Sequence, residues 1–283
     1  MPELPEVEIA ARNLRAWTAG RTIERVETDP RARRIFRPAR PPAVARALAG
    51  ARFQAVRRMG KQLLIALEKD GAPLGLASHL GMTGKWVRRP EPGRRAADGA
   101  AAAPRHSRAR LHLDDGATLH YQDLRLFGRL RVVPGARFEA LPEVRALGPD
   151  PLADGVDPAR LAALLARSRQ AVKPRLLDQR LLAGVGNIYA SESLFRARID
   201  PRRAARSLSR AEVERLGAAI VEAMREGIAR QEGPEIAYVE EGGENPFLVY
   251  AREGERCPRC RRARIARTVQ AQRSTFFCPR CQR

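Results

Sequence analysis

The sequence ends in two Cys-x-x-Cys knuckles, Cys257-Pro-Arg-Cys260 and Cys278-Pro-Arg-Cys281, with seventeen residues (261 to 277) between them. They use all four cysteines of the 283-residue chain. A tight knuckle brings two sulfurs to one tetrahedral ion, and this spacing fits a four-thiolate zinc ribbon. Two disulfides are disfavoured in a reducing cytosol, and a thioredoxin-like redox pair would want a βαβ context that is absent. The expectation is one structural Zn2+ held by Cys257, Cys260, Cys278 and Cys281. Arg261, Arg262, Arg264, Arg267 and Arg273 lie between the knuckles, more charge than a purely stabilising tail needs.

The whole chain shares that bias. A formal charge of +21 and a pI near 11.3 favour a polyanionic partner, nucleic acid or an acidic membrane surface. Only four of the 53 basic residues are lysine, at 61, 69, 85 and 173. A GC-rich genome accounts for that ratio but not for the net charge, and positions where Lys persists are candidates for chemistry that needs an amine. No apolar run is long enough to span a bilayer, and the acidic, proline-rich start is unlike a secretory signal. A cytoplasmic location is expected.

Residues 1 to 8 read Met-Pro-Glu-Leu-Pro-Glu-Val-Glu. Removal of the initiator Met would leave Pro2 as a terminal secondary amine, which is neutral far more often at pH 7 than a lysine. Such an amine can attack a sugar aldehyde carbon, and the resulting iminium draws electrons from the neighbouring carbon and permits elimination. Glu3 and Glu6 are near enough in sequence to serve as proton-transfer groups. The plain alternative is that Pro5 opens a helix whose positive end Glu6 and Glu8 complement. Both can hold.

Between these ends the periodicity predicts an amphipathic helix from Pro5 to about Thr18, with Val7, Leu14 and Trp17 near one face. Short strands are predicted at 22–28, 51–58, 62–67, 109–113, 118–121 and 129–133, with a hairpin at Asp114-Asp115-Gly116. That spacing suggests a β-sandwich. Residues 89 to 105, rich in Arg, Pro, Gly and Ala, read as a mobile loop. After Gly148-Pro149-Asp150-Pro151, taken as a hinge, the pattern is helical: helices are predicted to open at Asp157-Pro158, at Gly186-Asn187, and at a Ser209/Glu212 capping box for a helix reaching about Arg230.

Five motifs occur in order: the opening octet, His79-Leu-Gly-Met82-Thr-Gly84, Asp123-Leu-Arg125-Leu-Phe127-Gly128, Gly184-Val-Gly186-Asn187-Ile-Tyr-Ala-Ser-Glu192, and the cysteine ribbon. Together they closely resemble the formamidopyrimidine-DNA glycosylases (MutM type), within the wider group that includes endonuclease VIII. The resemblance implies an α+β protein: an N-terminal β-sandwich with flanking helices (1–148), a helix-two-turn-helix DNA-binding domain (149–250) and a zinc-finger hairpin (251–283). It implies a monomer that acts on damaged double-stranded DNA, excising oxidised purines and breaking the backbone by β,δ-elimination. By position Pro2 is the nucleophile, Glu3 the acid that assists sugar-ring opening, Glu6 their neighbour and Lys61 the active-site lysine. Met82, Arg125 and Phe127 match the side chains that fill the gap left by an extruded nucleotide; His79, Lys173, Asn187 and Arg273 match DNA contacts. Met82 and Phe127 are otherwise ordinary core types, but glycines at 81, 84 and 128 suggest loop tips. Gly184 and Gly186 are expected to admit a phosphate to a helix N-terminus.

The chain departs from the family at Leu126, where a charged residue is usual, in the acidic segment 232–245, and in a ribbon one residue longer than common. An oxidised-pyrimidine specificity is the nearest rival, disfavoured by Pro-Glu-Leu-Pro in place of Pro-Glu-Gly-Pro. A noncatalytic damage-sensing DNA-binding protein is the alternative of another class, disfavoured by the intact Pro2, Glu3 and Lys61 set.

Overall fold

The computed structural model describes residues 2–90, 104–231, 233, 235, 236 and 245–283. They form two compact units: one built on residues 6–145 with Pro2 and the described residues of 231–236, the other on 3–5, 146–230 and 245–283.

In the first unit, helix α1 (Leu4–Thr18) runs from Glu6 onward beside strand β1 (Ile23–Thr28), helix α2 (Pro41–Leu48) and strands β2 (Arg52–Met59), β3 (Gln62–Lys69), β4 (Ala72–His79), β5 (Lys85–Pro90), β6 (Ser107–Leu113), β7 (Ala117–Gln122) and β8 (Arg129–Pro134). A short helix α3 (Pro142–Arg145) follows. The strands make two antiparallel four-stranded sheets, β1-β6-β7-β5 and β2-β3-β4-β8, which is the expected sandwich. Trp86 Nε1 donates to Ser78 Oγ (3.1 Å) and the Tyr121 hydroxyl donates to the His79 carbonyl (2.9 Å), each tying one sheet to the other. Along α1, Val7 and Leu14 are fully buried while Trp17 is only half-buried. Arg58, with a side chain 4% exposed, reaches Glu8 at 2.7 Å and fastens α1 to β2.

All six expected strands form, but β4, β5 and α2 were not anticipated. Strand β4 reads Ala-Pro-Leu-Gly-Leu-Ala-Ser-His, with little β-branched content, because space over it is short: a Cβ on Gly75 would lie 2.8 Å from the Phe138 ring. Helix α2 begins on Pro41-Pro42, where a missing N–H costs nothing in the first turn. The mobile-loop expectation fails at Arg89 and Pro90, which pair with Thr118 and Ala117 in β5–β7; its span 91–103 lies outside the described residues.

The second unit is helical, with α4 (Pro158–Ala166), α5 (Val172–Leu176), α6 (Asn187–Ala197) and α7 (Arg210–Arg230), followed by the hairpin β9 (Ala266–Gln270) and β10 (Arg273–Phe277). The helix starts are as expected: Asp157 accepts from Ala159 N–H at 2.9 Å, and Ser209 and Glu212 exchange hydrogen bonds at 3.3 and 2.8 Å. Helix α6 is buried at ten of its eleven residues, as a central helix must be. Tyr189, where a dinucleotide motif would want glycine, instead packs on α7: a Cβ at Gly227 would meet its hydroxyl at 2.1 Å. Gly148 packs closely within this unit: an added Cβ would meet the Arg180 carbonyl at 2.3 Å.

Candidate functional site

In the second unit the chain's third residue is wrapped by α6. Glu3 is fully buried, and its carboxylate accepts the N–H groups of Ile188 (2.8 Å) and Tyr189 (3.2 Å), two donors that the first turn of a helix cannot satisfy internally. Leu4 N–H donates to the Gly184 carbonyl at 3.2 Å. The glycines exist for this approach. Gly184 has φ +89°, and a Cβ there would lie 2.6 Å from the Leu4 side chain; a Cβ at Gly186 would lie 2.3 Å from the carboxyl carbon of Glu3. The expected anion at this helix end was a phosphate; the structure gives these two donors to Glu3 instead.

Next to Glu3's helix, Lys173 on α5 is 1% exposed. Its three ammonium hydrogens have three acceptors: Asn187 Oδ1 at 2.6 Å, Thr275 Oγ1 at 2.7 Å and the Ser274 carbonyl at 2.8 Å. Burial lowers its pKa to about 7; Glu3 opposes the shift and Arg273 adds to it. Asn187 also donates Nδ2 to the Ser274 carbonyl at 3.0 Å. Lys173 and Asn187 thus join α5 and α6 to β10, at the strand that begins with Arg273. Arg273 itself is exposed and follows a two-residue turn, Ala271 (φ 46°) and Gln272 (φ 59°), both left-handed although neither is glycine. Such strain at a hairpin tip fixes where the next side chain leaves the strand.

The four cysteine sulfurs lie within 4.8 Å of one another, with Cys257–Cys281 at 3.8 Å and Cys260–Cys278 at 3.9 Å. A tetrahedral Zn–S bond of about 2.3 Å requires sulfurs about 3.8 Å apart, so the set fits zinc. N–H groups of Ala263 and Arg262 pull the Cys260 thiol down to about 6, toward the thiolate a metal needs. Glu192, 2% exposed, accepts the N–H groups of Leu248, Val249 and Tyr250 at 2.9 to 3.0 Å and pins the start of this module.

In the first unit, Pro2 is buried. Glu6 is 3% exposed and accepts from Gln231 Nε2 at 3.1 Å. Lys61 sits in the Gly60-Lys61 turn between β2 and β3, as the family motif implies. His79 ends β4 and accepts Gly81 N–H on Nδ1 at 3.0 Å, which leaves the proton on Nε2. Burial, with the charges of Lys61 and Arg129, pushes its pKa down to about 4, so it is a neutral N–H donor at physiological pH.

Two loop tips follow. Met82 is half-buried in the turn after β4; Arg125 and Phe127 are exposed between β7 and β8, with Phe127 at 38%. Asp123, fully buried, binds the tips together: it accepts from Thr83 Oγ1 (2.7 Å), Arg125 N–H (3.2 Å) and Gly128 N–H (2.8 Å). The guanidinium centre of Arg125 stacks 4.9 Å from the Phe127 ring centre. Met82 and Phe127 are therefore not core residues. Sequence reasoning assigned no part to Asp123 or Glu192; an acidic residue opening a glycine-closed loop was the available signal for Asp123.

Three family models match: the formamidopyrimidine-DNA glycosylase N-terminal domain over residues 1–130, its H2TH domain over 147–236, and the zinc finger found in FPG and IleRS over 254–283. A formamidopyrimidine-DNA glycosylase of Paracoccus denitrificans is 40% identical over 294 aligned residues, covering all of both chains. The chain belongs to the formamidopyrimidine-DNA glycosylase family. Among solved members, MutM (Fpg) of Thermus thermophilus has a TM-score of 0.79 at 39% identity, covering 99% of this chain and 98% of that one. Wild-type Lactococcus lactis Fpg in complex with an N7-benzyl-Fapy-dG containing DNA has 0.83 at 30% identity, covering both chains fully. For this family member, the described residues contain no helix long and apolar enough to cross a membrane.

Proposed function

We propose that the chain excises oxidised purines, formamidopyrimidines and 8-oxoguanine, from duplex DNA and then cuts the strand. With the initiator Met removed, the Pro2 nitrogen attacks C1′ and the base leaves with the bonding electrons. Glu3, a carboxylate at rest, takes the proton that the Pro2 nitrogen releases and gives it to the ring oxygen as the sugar opens and the Pro2 iminium forms. Loss of a C2′ proton expels the 3′ phosphate, and a second elimination expels the 5′ phosphate. Lys61 and Glu6 serve the proton transfers and phosphate placement. Met82, Arg125 and Phe127 occupy the space of the extruded nucleotide, while His79, Asn187 and Arg273 serve the DNA backbone; Lys173, buried with all three donors taken within the protein, contacts no DNA and acts by holding the strand that carries Arg273. Residues 1–148 form the catalytic domain, 149–250 the helix-two-turn-helix domain and 251–283 the zinc finger of a monomer acting in the bacterial cytoplasm.

The observation that carries this reading is Glu3, locked at zero exposure by two helix N–H donors immediately after Pro2. A carboxylate held so rigidly gives the adjacent imino acid a fixed proton partner. Borohydride present during incubation with abasic-site DNA should trap a covalent adduct at Pro2, while Pro2→Gly should retain duplex binding and lose strand cleavage. No adduct, or initiator Met still attached to active enzyme by intact mass, would refute the mechanism.

A further inference from the structure

The two faces of the sheet β2-β3-β4-β8 are used differently. Ser78 and its neighbours in register face the other sheet, through Trp86; the opposite face carries Gln62, His79 and Arg129 on one rung and Leu64, Ala77 and Arg131 on the next but one. Half of that opposite face is covered, since Phe138, Leu141 and Val144 pack on Leu64, Ala77 and Val133. The other half is an open cavity of about 700 Å3, lined also by Arg34 and Arg37 from the segment after β1. The backbone holds this segment in place, with Leu130 N–H donating to the Ile35 carbonyl at 2.8 Å.

Four arginines (Arg34, Arg37, Arg129, Arg131) line this space against one acidic residue, Glu143. Glu143 is already engaged by Arg131 at 3.4 Å, and among the described residues Arg34, Arg37 and Arg129 have no carboxylate partner. Elsewhere the chain commonly neutralises its arginines, as in Arg196 with Glu226 or Arg203 with Glu212. Like charges gathered in a concave site repel one another, and a bound anion relieves that repulsion. The volume exceeds what a lone ion needs and falls in the range of sites for nucleotide-sized groups. Position narrows the choice further. Phe127 forms part of the wall, and the Arg34 guanidinium centre lies 5.2 Å from its ring centre, so the cavity starts where the exposed wedge ends.

We propose that this cavity is a phosphate-binding site which takes backbone phosphates of the duplex next to the point where Phe127 enters the stack. It rests on the reading of Phe127 as a void-filling side chain. Planar guanidinium forks suit phosphate oxygens, and the His79 Nε2–H adds a neutral donor at the rim. The same chemistry would accept a free nucleotide or inorganic phosphate.

The test is the salt dependence of binding to an undamaged duplex by the zinc-loaded full chain, comparing wild type with the double variant Arg37→Gln/Arg129→Gln. Neither replacement strands a carboxylate. The slope of log K against log salt should become shallower by about 1 to 2, since each phosphate no longer neutralised removes about 0.9. Arg37→Gln alone, at an exposed position, should give about half of that change and covers the case in which the double variant fails to fold. An unchanged slope in folded protein overturns the proposal. So does phosphate or mononucleotide binding to the wild type that the double variant loses while its DNA slope stays put, since the site would then serve a free anion. Borohydride trapping on abasic DNA, run in parallel at saturating protein, reports on the glycosylase reading independently.

Discussion

Gly186 and Glu3 show how narrow the tolerances are at single positions. The Cα of Gly186 carries only hydrogens toward the Glu3 carboxyl group, and the 2.3 Å that a Cβ would leave is far inside contact distance. Gly186→Ala should therefore push the carboxylate off the α6 N–H groups. Base excision should fall roughly 100-fold or more, the range for losing an acid–base group, while helical circular dichroism is retained; wild-type excision rates would refute the clamp. His79 allows a pH prediction. Its folded pKa, about 4, lies below the ordinary 6.5, so between these values the unfolded chain binds the proton and the folded chain does not. Stability should be lost as pH falls from about 6.5 to 4. His79→Gln should flatten that part of a melting-temperature profile, leaving the share contributed by His120, which burial and nearby arginines also push to about 4. The residue types at these sites were legible in the sequence, but their partners were not: Ile188 lies 185 positions from Glu3, and nothing local in Met-Pro-Glu-Leu announces a carboxylate that caps a distant helix.

Elements that announce themselves do so through local chemistry. The Ser209/Glu212 box, the Asp157 cap and the Asp-Asp-Gly hairpin were readable because side chain and backbone partner sit within three residues. Ser209→Ala should cost about 1 kcal/mol and lower the thermal midpoint of the helical unit, with no change in zinc content. Strand β4 and helix α2 stayed hidden for the opposite reason, since Gly75 answers to Phe138 and Pro41 to helix geometry rather than to any strand or breaker rule. The loop tips lie between these cases. Their glycines marked them as turns, yet the element that makes them one structure is the buried Asp123 carboxylate. Asp123→Ala would strand the Gly128 N–H and the Thr83 hydroxyl proton and leave the Arg125 N–H with Thr83 Oγ1 alone, at a cost of about 2 kcal/mol. The Met82 and Phe127 tips would then separate. Affinity for abasic-site duplex should drop more than affinity for undamaged duplex, because only the former gains from a preformed wedge; equal losses would argue against insertion.

At the scale of the whole molecule, stability is divided among cores of very unequal size. The helical unit gathers more than twenty buried apolar residues around α6, whereas the ribbon's own cluster is Phe195, Val249, Cys257, Ile265, Phe276 and Cys278, two of them metal ligands. Apolar burial on that scale cannot hold a hairpin of arginine-rich sequence, so zinc must supply most of its folding free energy, as it does in isolated zinc modules. The ribbon is not a detachable tail, however. Lys173 spends two of its three donors on Ser274 and Thr275 in β10, and unfolding the ribbon would leave a buried ammonium with Asn187 alone. Chelation should therefore abolish a low-temperature calorimetric transition and also lower the midpoint of the helical unit, by a smaller amount. Lys173→Met, which removes the stranded charge, should shrink that second shift while leaving the first intact. Chelated protein whose helical transition moves as much in Lys173→Met as in wild type would show that the coupling runs through something other than this lysine.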